Sequence, residues 1–386
     1  MERIETLERP DWREQAAALG FHFHSNGGQP YWDESAYYRF SLAEIENDIE
    51  RPTAELHELC TDLVSRAVRD DSYLRRLAIP ELQWEFIRAS WLRGDPHLYG
   101  RMDFAYDGRG PAKLYELNYD TPTSLYEAAV FQWVWLEQTI ERGGLPRGTD
   151  QFNSLQEKLL LAFAALAPTV GSMHFASVRG SQEDRATVDY LADLAFQSRI
   201  RPRYIDVEDI GRTADGRFTD GDDRVIETIF KLYPWEMLFA DEFASSLSTS
   251  RTTWIEPPWK AILSNKGALA LLWELHPGHP NLLPAHFEES PAAPLPAGWV
   301  RKPLCSREGA NVEIRTDTGQ HLAAAGPYTD FPYIRQAFHA LPRFAGRYAL
   351  IGSWMVADLP GGIGMREDDS LITRDSARFV PHVIAA

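Results

Sequence analysis

The chain has 386 residues, 44% of them hydrophobic and 25% charged, which is the make-up of a folded globular protein rather than a disordered or fibrous one. Its 39 Lys and Arg stand against 56 Asp and Glu, a net charge of -17. So acidic a surface repels phosphate backbones and anionic lipid, and sets aside nucleic acid and membrane surfaces as general partners. Two cysteines, Cys60 and Cys305, are too few for a disulfide framework and fit a reducing compartment.

The opening MERIETLERPDWREQ is charged and lacks the apolar core of a signal peptide. The apolar run 159–167 is far shorter than the roughly 20 residues that span a bilayer. A soluble cytoplasmic protein is expected. No internal repeat or low-complexity tract is visible. Residues 41–94 carry apolar positions at helical spacing. YGRMDFAYD and AKLYELNYD, joined by GRGP, alternate as the two arms of a β-hairpin. Helical periodicity returns over 124–142 and 152–167.

MHFASVRG reads as a strand, and SQEDRATVDYLADLAFQS as a helix opened by a Ser cap. RPRYIDVEDI gives another strand and TADGRFTDGDDRVIETIF a hairpin, which together suggest a small α/β lobe. From about residue 246 a Pro-rich stretch leads into WVRKPL, NVEIRTD, RYALIGSWMVAD and GGIGMRED, strands of a mostly antiparallel sheet. A helix is expected near YIRQAFHAL. The segments 1–150, 151–245 and 246–386 are the expected lobes of one α+β unit.

Chemistry concentrates in two places. In RMD and ELN, alternate residues of each strand share a face, so hairpin pairing gathers Arg101, Asp103, Glu116 and Asn118. Two carboxylates and an amide oxygen suit Mg²⁺, and the arginine suits a phosphate or a developing anion. The same spacing also fits a solvated hairpin face with cross-strand charge pairs. The second place is a set of cations in apolar or Gly-rich settings: Lys266, Lys302, Arg307 and Arg366. Each alone is compatible with a surface side chain whose head reaches water. Buried, they would require anionic partners. The run Ser306–Asn311, SREGAN, lies between two strands and exposes backbone N–H groups suited to phosphate. No GxxxxGK[ST] or GxGxxG is present.

The remaining candidates read as structural. Residues 348–358 form an apolar strand that needs no role beyond the core. His22 and His24 fall on one face of a short strand and have no further ligand in range. Cys60 lies in an apolar helical pattern, and Cys305 has no histidine positioned to activate it.

HFHSNGGQPYWDESAYYRF, YGRMDF, KLYELNYDTPTSLYEA, FKLYPWE, EPPWKAILSNKGALALLWELHPGHPNLLP, RKPLCSREGANV and GGIGMREDDSLIT together resemble the glutathionylspermidine synthase family, in order and from about residue 15 onward. The resemblance implies an ATP-grasp amide ligase that phosphorylates a carboxylate with ATP and passes the acyl group to an amine. It implies that Asp103, Glu116 and Asn118 bind two Mg²⁺, and that Arg101 and Arg366 act on the transferred phosphoryl and acyl groups. Lys266 and Lys302, with Gly309 and Asn311 of the SREGAN lid, would hold ATP. Ser124 and Arg307 would face the acid, Lys231 and Glu236 would line the cleft, and Glu183 and Asp184 would lie on the amine side. The Cys/His amidase domain of bifunctional members is not matched. Glutathione or another peptide acid, with spermidine or another amine, are the expected substrates. A ligase adding an amino acid to another peptide, a catalytically idle nucleotide-binding protein and a polyamine sensor stay open as alternatives.

Overall fold

A computed structural model describes residues 1–26, 28–289 and 293–385. Three sheets organise the chain, and helices cover their faces. The first is six-stranded and antiparallel. It runs Arg378–Val380, Leu359–Asp368, Arg347–Val356, Tyr99–Ala105 and Lys113–Asn118 in spatial order, with Arg343–Phe344 alongside the third strand. The expected hairpin at 99–118 is thus hydrogen-bonded directly to strands from the last tenth of the chain. Arg347–Val356 is its central strand and is buried over most of its length, as a core strand should be.

The second sheet is five-stranded and antiparallel, in the order Ala285–Phe287, Tyr333–Ala337, Trp299–Pro303, Glu313–Arg315 and His321–Ala323. The helix expected near 333–341 is a strand instead. Ile334 and Gln336 alternate inward along it, and it pairs with neighbours on both edges. A period of two over five residues outweighs the weak helical pattern there.

The third sheet is four-stranded and all parallel, ordered Thr253–Ile255, Thr228–Leu232, Ser172–Ser177, Arg201–Asp206. The expected hairpin at 213–230 is split: only Gly211–Arg212 and Phe218–Thr219 pair as a ribbon, while Thr228–Leu232 departs to the centre of the parallel sheet. Its five residues are all buried, the charged Lys231 included.

Helices Arg51–Ala67, Glu81–Arg93 and Gly267–Leu275 bury Leu56, Leu63, Phe86 and Leu271 in one core with Met102, Phe104 and Ile351 of the six-stranded sheet. Gly94, with φ 67°, ends the second of these in the left-handed conformation that glycine adopts without strain. A second core joins Trp32, Phe131 and Phe175 to helices Leu155–Leu166 and Gln182–Gln197. The chain termini meet in a small sheet of Glu2–Glu5, Ala36–Phe40 and His382–Ile384. The expected strand at 21–24 is absent: pairing begins at Ser25, Phe21 is buried, and His24 packs edge-on against Trp12. Cys60 is fully buried. Among the described residues no helix is long and apolar enough to cross a membrane.

Candidate active site

The hairpin delivers its four side chains as the alternation requires. Arg101 lies opposite Asn118 and Asp103 opposite Glu116 in the register, with a bulge just after Asp103. Arg101 Nε donates to Asp103 Oδ1 at 2.6 Å and Nη2 to Oδ2 at 3.0 Å. Asn118 Nδ2 donates to Asp103 Oδ2 at 3.1 Å. On the neighbouring strand Gly352 makes room for the guanidinium: a Cβ there would lie 2.7 Å from Arg101 Cδ. The remaining Arg101 donor, Nη1, reaches the Thr123 carbonyl at 2.7 Å and ties the hairpin to the following turn.

Cations from other elements close on this face. Lys266, at the start of helix Gly267–Leu275, pairs with Glu116 at 2.5 Å and donates to the Ser306 carbonyl at 2.7 Å. Lys302 donates to Tyr115 O at 2.9 Å and Gln336 Oε1 at 2.7 Å. Burial opposes ionisation of Glu116, but Lys266, Lys302 and Arg101 outweigh it and hold the carboxyl below its usual range. Burial lowers Lys302 to about 8, so the ammonium that a phosphate would neutralise is already costly to keep charged. Arg366 donates Nη2 to the Arg374 carbonyl at 2.9 Å, while its Nε is buried with no hydrogen-bond partner. Arg307 hydrogen-bonds the Thr121 hydroxyl and approaches Glu236 at 3.9 Å.

The SREGAN segment is a compact turn rather than an open loop. Gly309, at φ 72°, presses on the 370–375 segment, where a Cβ would stand 2.5 Å from Ile372. That combination of left-handed backbone and close approach leaves no room for another residue.

Together these residues wall a polar cleft of about 340 Å³ that holds Arg101, Asp103, Glu116, Asn118, Lys266, Arg307, Gly309 and Arg366. Glu183, Asp184 and Glu236 line the same cleft and make part of it acidic. Burial, then the nearby Glu127 charge, pushes Glu183 up to about 8; burial also raises Asp184 and Glu236. Lys302 lines an adjoining, more apolar slot of about 80 Å³ between the two antiparallel sheets, beside Tyr115, Val300, Gln336 and Leu350.

Three of the expected site residues stand behind the walls. Ser124 is buried and hydrogen-bonded to the Tyr31 hydroxyl at 2.9 Å. Lys231 is buried on Asp120 at 2.5 Å and lies 4.3 Å over the Trp235 ring. Asn311 accepts from Tyr328 N at 2.9 Å and fixes a neighbouring loop. Cys305 is pushed up to about 12 by burial, so it is no thiolate nucleophile.

Sequence reasoning passed over Asp120, Thr121, Thr373 and Asp375, all on the cleft wall, and Glu127, which is fully buried beside Tyr31. The available signal for the first two was the DTPTS turn directly after ELN. Asp375 is brought in only by tertiary folding.

Among the described residues no three His, Cys, Asp or Glu side chains are grouped to hold a metal by themselves. Two carboxylates and one amide oxygen on a shared face, next to cations suited to phosphate, fit Mg²⁺, which takes its other ligands from phosphate and water.

Comparison with known proteins places the chain in a family. The family model described as "Glutathionylspermidine synthase preATP-grasp" matches residues 3–385. A putative acid–amine ligase of Haemophilus influenzae is 43% identical over 97% of this chain and 97% of its own length. Trypanothione synthetase of Crithidia fasciculata is 30% identical over 83% of this chain. The bifunctional glutathionylspermidine synthetase/amidase of Escherichia coli is 26% identical over 91% of it. The matches cover 52% and 60% of those two longer proteins. A glutathione synthetase-like effector from Globodera pallida shares the fold, with a TM-score of 0.56 at 12% identity over 97% of this chain and 95% of that one. With its model matched from end to end, the chain belongs to the glutathionylspermidine synthase family.

Proposed function

We propose that this cleft is the centre of an ATP-grasp ligase that joins a carboxylate to an amine through an acyl phosphate, with glutathione or another peptide acid and spermidine or another amine as substrates. The observation that carries the reading is the set of groups gathered in one cleft. Asp103, Glu116 and Asn118 supply hard oxygen donors, Lys266, Arg307 and Arg366 supply cations suited to phosphate, and Glu183, Asp184 and Glu236 add carboxylates.

In this reading the nucleotide base sits in the slot between the antiparallel sheets, against Val300 and Leu350. Lys266 and Lys302 hold the phosphates. Bound to Asp103, Glu116 and Asn118, Mg²⁺ would neutralise phosphate charge. Arg307 receives the acid, whose carboxylate oxygen attacks the γ-phosphorus as ADP leaves. Arg101 and Arg366 face the charge that develops on the transferred group. Asp184 and Glu236 draw in a protonated amine, whose charge then favours ionisation of Glu183. The amine nitrogen, once deprotonated, forms the amide bond, and phosphate departs with one oxygen of the acid.

ADP release that requires an acid and an amine together is the expected result in a panel of both. Release indifferent to either substrate, or ATP bound without turnover by any pair, would remove the ligase reading. Arg366→Ala is expected to lower kcat roughly a hundredfold while ATP affinity stays within a few fold; equal loss of both would deny it a transition-state role. Lys302 is charged below about 8 and neutral above it, so ATP affinity of the free protein should weaken as pH rises through that value. Lys302→Arg, charged throughout, should flatten the profile, as read by nucleotide titration at each pH.

A further inference from the structure

Two serines on the cleft wall have hydroxyls that the protein itself does not use. Ser264 and Ser306 both line the cleft, and each hydroxyl oxygen is buried without a hydrogen-bond partner. Ser306 is only 7% exposed. A buried hydroxyl left unpaired is a cost that a bound group can remove. The backbone holds both residues in place. Asn265, between Ser264 and Lys266, is anchored: its Nδ2 donates to the Leu77 carbonyl at 2.8 Å, and its Oδ1 accepts from Gly267 N at 2.9 Å. Lys266 N donates to the Leu304 carbonyl at 2.8 Å and Lys266 Nζ to the Ser306 carbonyl at 2.7 Å. Segments 264–266 and 304–306 are therefore bonded to each other at two points, which ties both serines to Lys266. Arg307 follows directly, and its Nε is also buried with no hydrogen-bond partner.

Two hydroxyls, an ammonium and a guanidinium N–H are donors suited to the oxygens of a phosphoryl group. The serines sit on the segments that carry Lys266, assigned above to the nucleotide, and Arg307, assigned to the acid. The group common to both is the phosphoryl that passes from one to the other. We infer that Ser264 and Ser306 donate hydrogen bonds to the γ-phosphoryl group as its bond to ADP breaks and its bond to the acid oxygen forms. The inference rests on the ligase reading for the identity of that group.

Calorimetric titration of the whole chain with ADP and Mg²⁺, with and without orthovanadate as the phosphoryl mimic, tests it. Vanadate should tighten ADP binding to the wild type. Ser264→Ala and Ser306→Ala should each remove roughly tenfold of that tightening, while ADP alone binds within about twofold of the wild type in both. Neither substitution should lower the melting temperature, because neither hydroxyl bonds to another part of the protein. Vanadate without effect on the wild type, a tightening that survives both substitutions, or an equal loss for ADP alone would overturn the phosphoryl contact. Failure of every acid–amine pair to release ADP would overturn the ligase reading instead, and leaves the vanadate titration readable.

Discussion

Asp103→Asn should slow ADP release roughly a hundred- to a thousandfold and leave the fold intact. The asparagine keeps the shape and an acceptor for Arg101, which now donates to both Asp103 oxygens at 2.6 and 3.0 Å. It removes the negative charge that a divalent ion requires. Either variant takes the counter-charge from the buried Arg101 guanidinium, a loss that costs up to about 3–5 kcal/mol in buried pairs; alanine is the poorer test because it removes the hydrogen-bond acceptor as well. Steady-state ADP release together with a thermal melt separates the two cases. Unchanged turnover in a well-folded Asp103→Asn protein would remove the metal assignment.

The second large effect concerns stability and lies beneath the site. Lys260 and Glu256 are both fully buried and ion-paired. Glu256 accepts from the backbone of Leu98 and Tyr99, at 3.1 and 3.0 Å, and Lys260 donates to the Tyr99 carbonyl at 2.7 Å. These groups therefore fix the start of the strand that carries Arg101 and Asp103. Lys260→Met strands a buried carboxylate and should cost about 3–5 kcal/mol, measured as a lower denaturant midpoint. Adding Glu256→Gln removes the stranded charge and should recover part of that loss. A Lys260→Met protein as stable as the wild type would mean that the pair is dispensable to the strand.

Much of the cleft lining around Asp103 was legible in the sequence, because a two-residue period fixes which side chains share a strand face. Arg101, Asp103, Glu116 and Asn118 meet for that reason alone. Lys266, Lys302 and Arg366 were legible as cations in apolar surroundings, although only folding sets Lys266 and Arg366 on one cleft and Lys302 in the slot beside it. The helix misread at 333–341 and the hairpin that split at 213–230 show where local pattern loses to long-range pairing. Both segments are strands whose partners are remote in sequence. Ser124, Lys231 and Asn311 share motifs with cleft residues but turn inward. Lys231 shows the reason: its ammonium satisfies Asp120, whose other oxygen accepts from Trp235 N at 2.8 Å, so it shapes the wall from behind. Asp375 depends on tertiary neighbours that no local spacing reveals.

The central claim is amide formation driven by phosphorylation of a carboxylate, and one labelling measurement addresses it most directly. Acids carrying ¹⁸O in the carboxylate, glutathione among them, would be incubated with ATP, Mg²⁺ and amines including spermidine, and all products weighed by mass spectrometry. The account predicts an adduct lighter than acid plus amine by one water, with one ¹⁸O transferred to the released phosphate. ADP formed with no adduct, or an adduct whose phosphate carries no label, would contradict it.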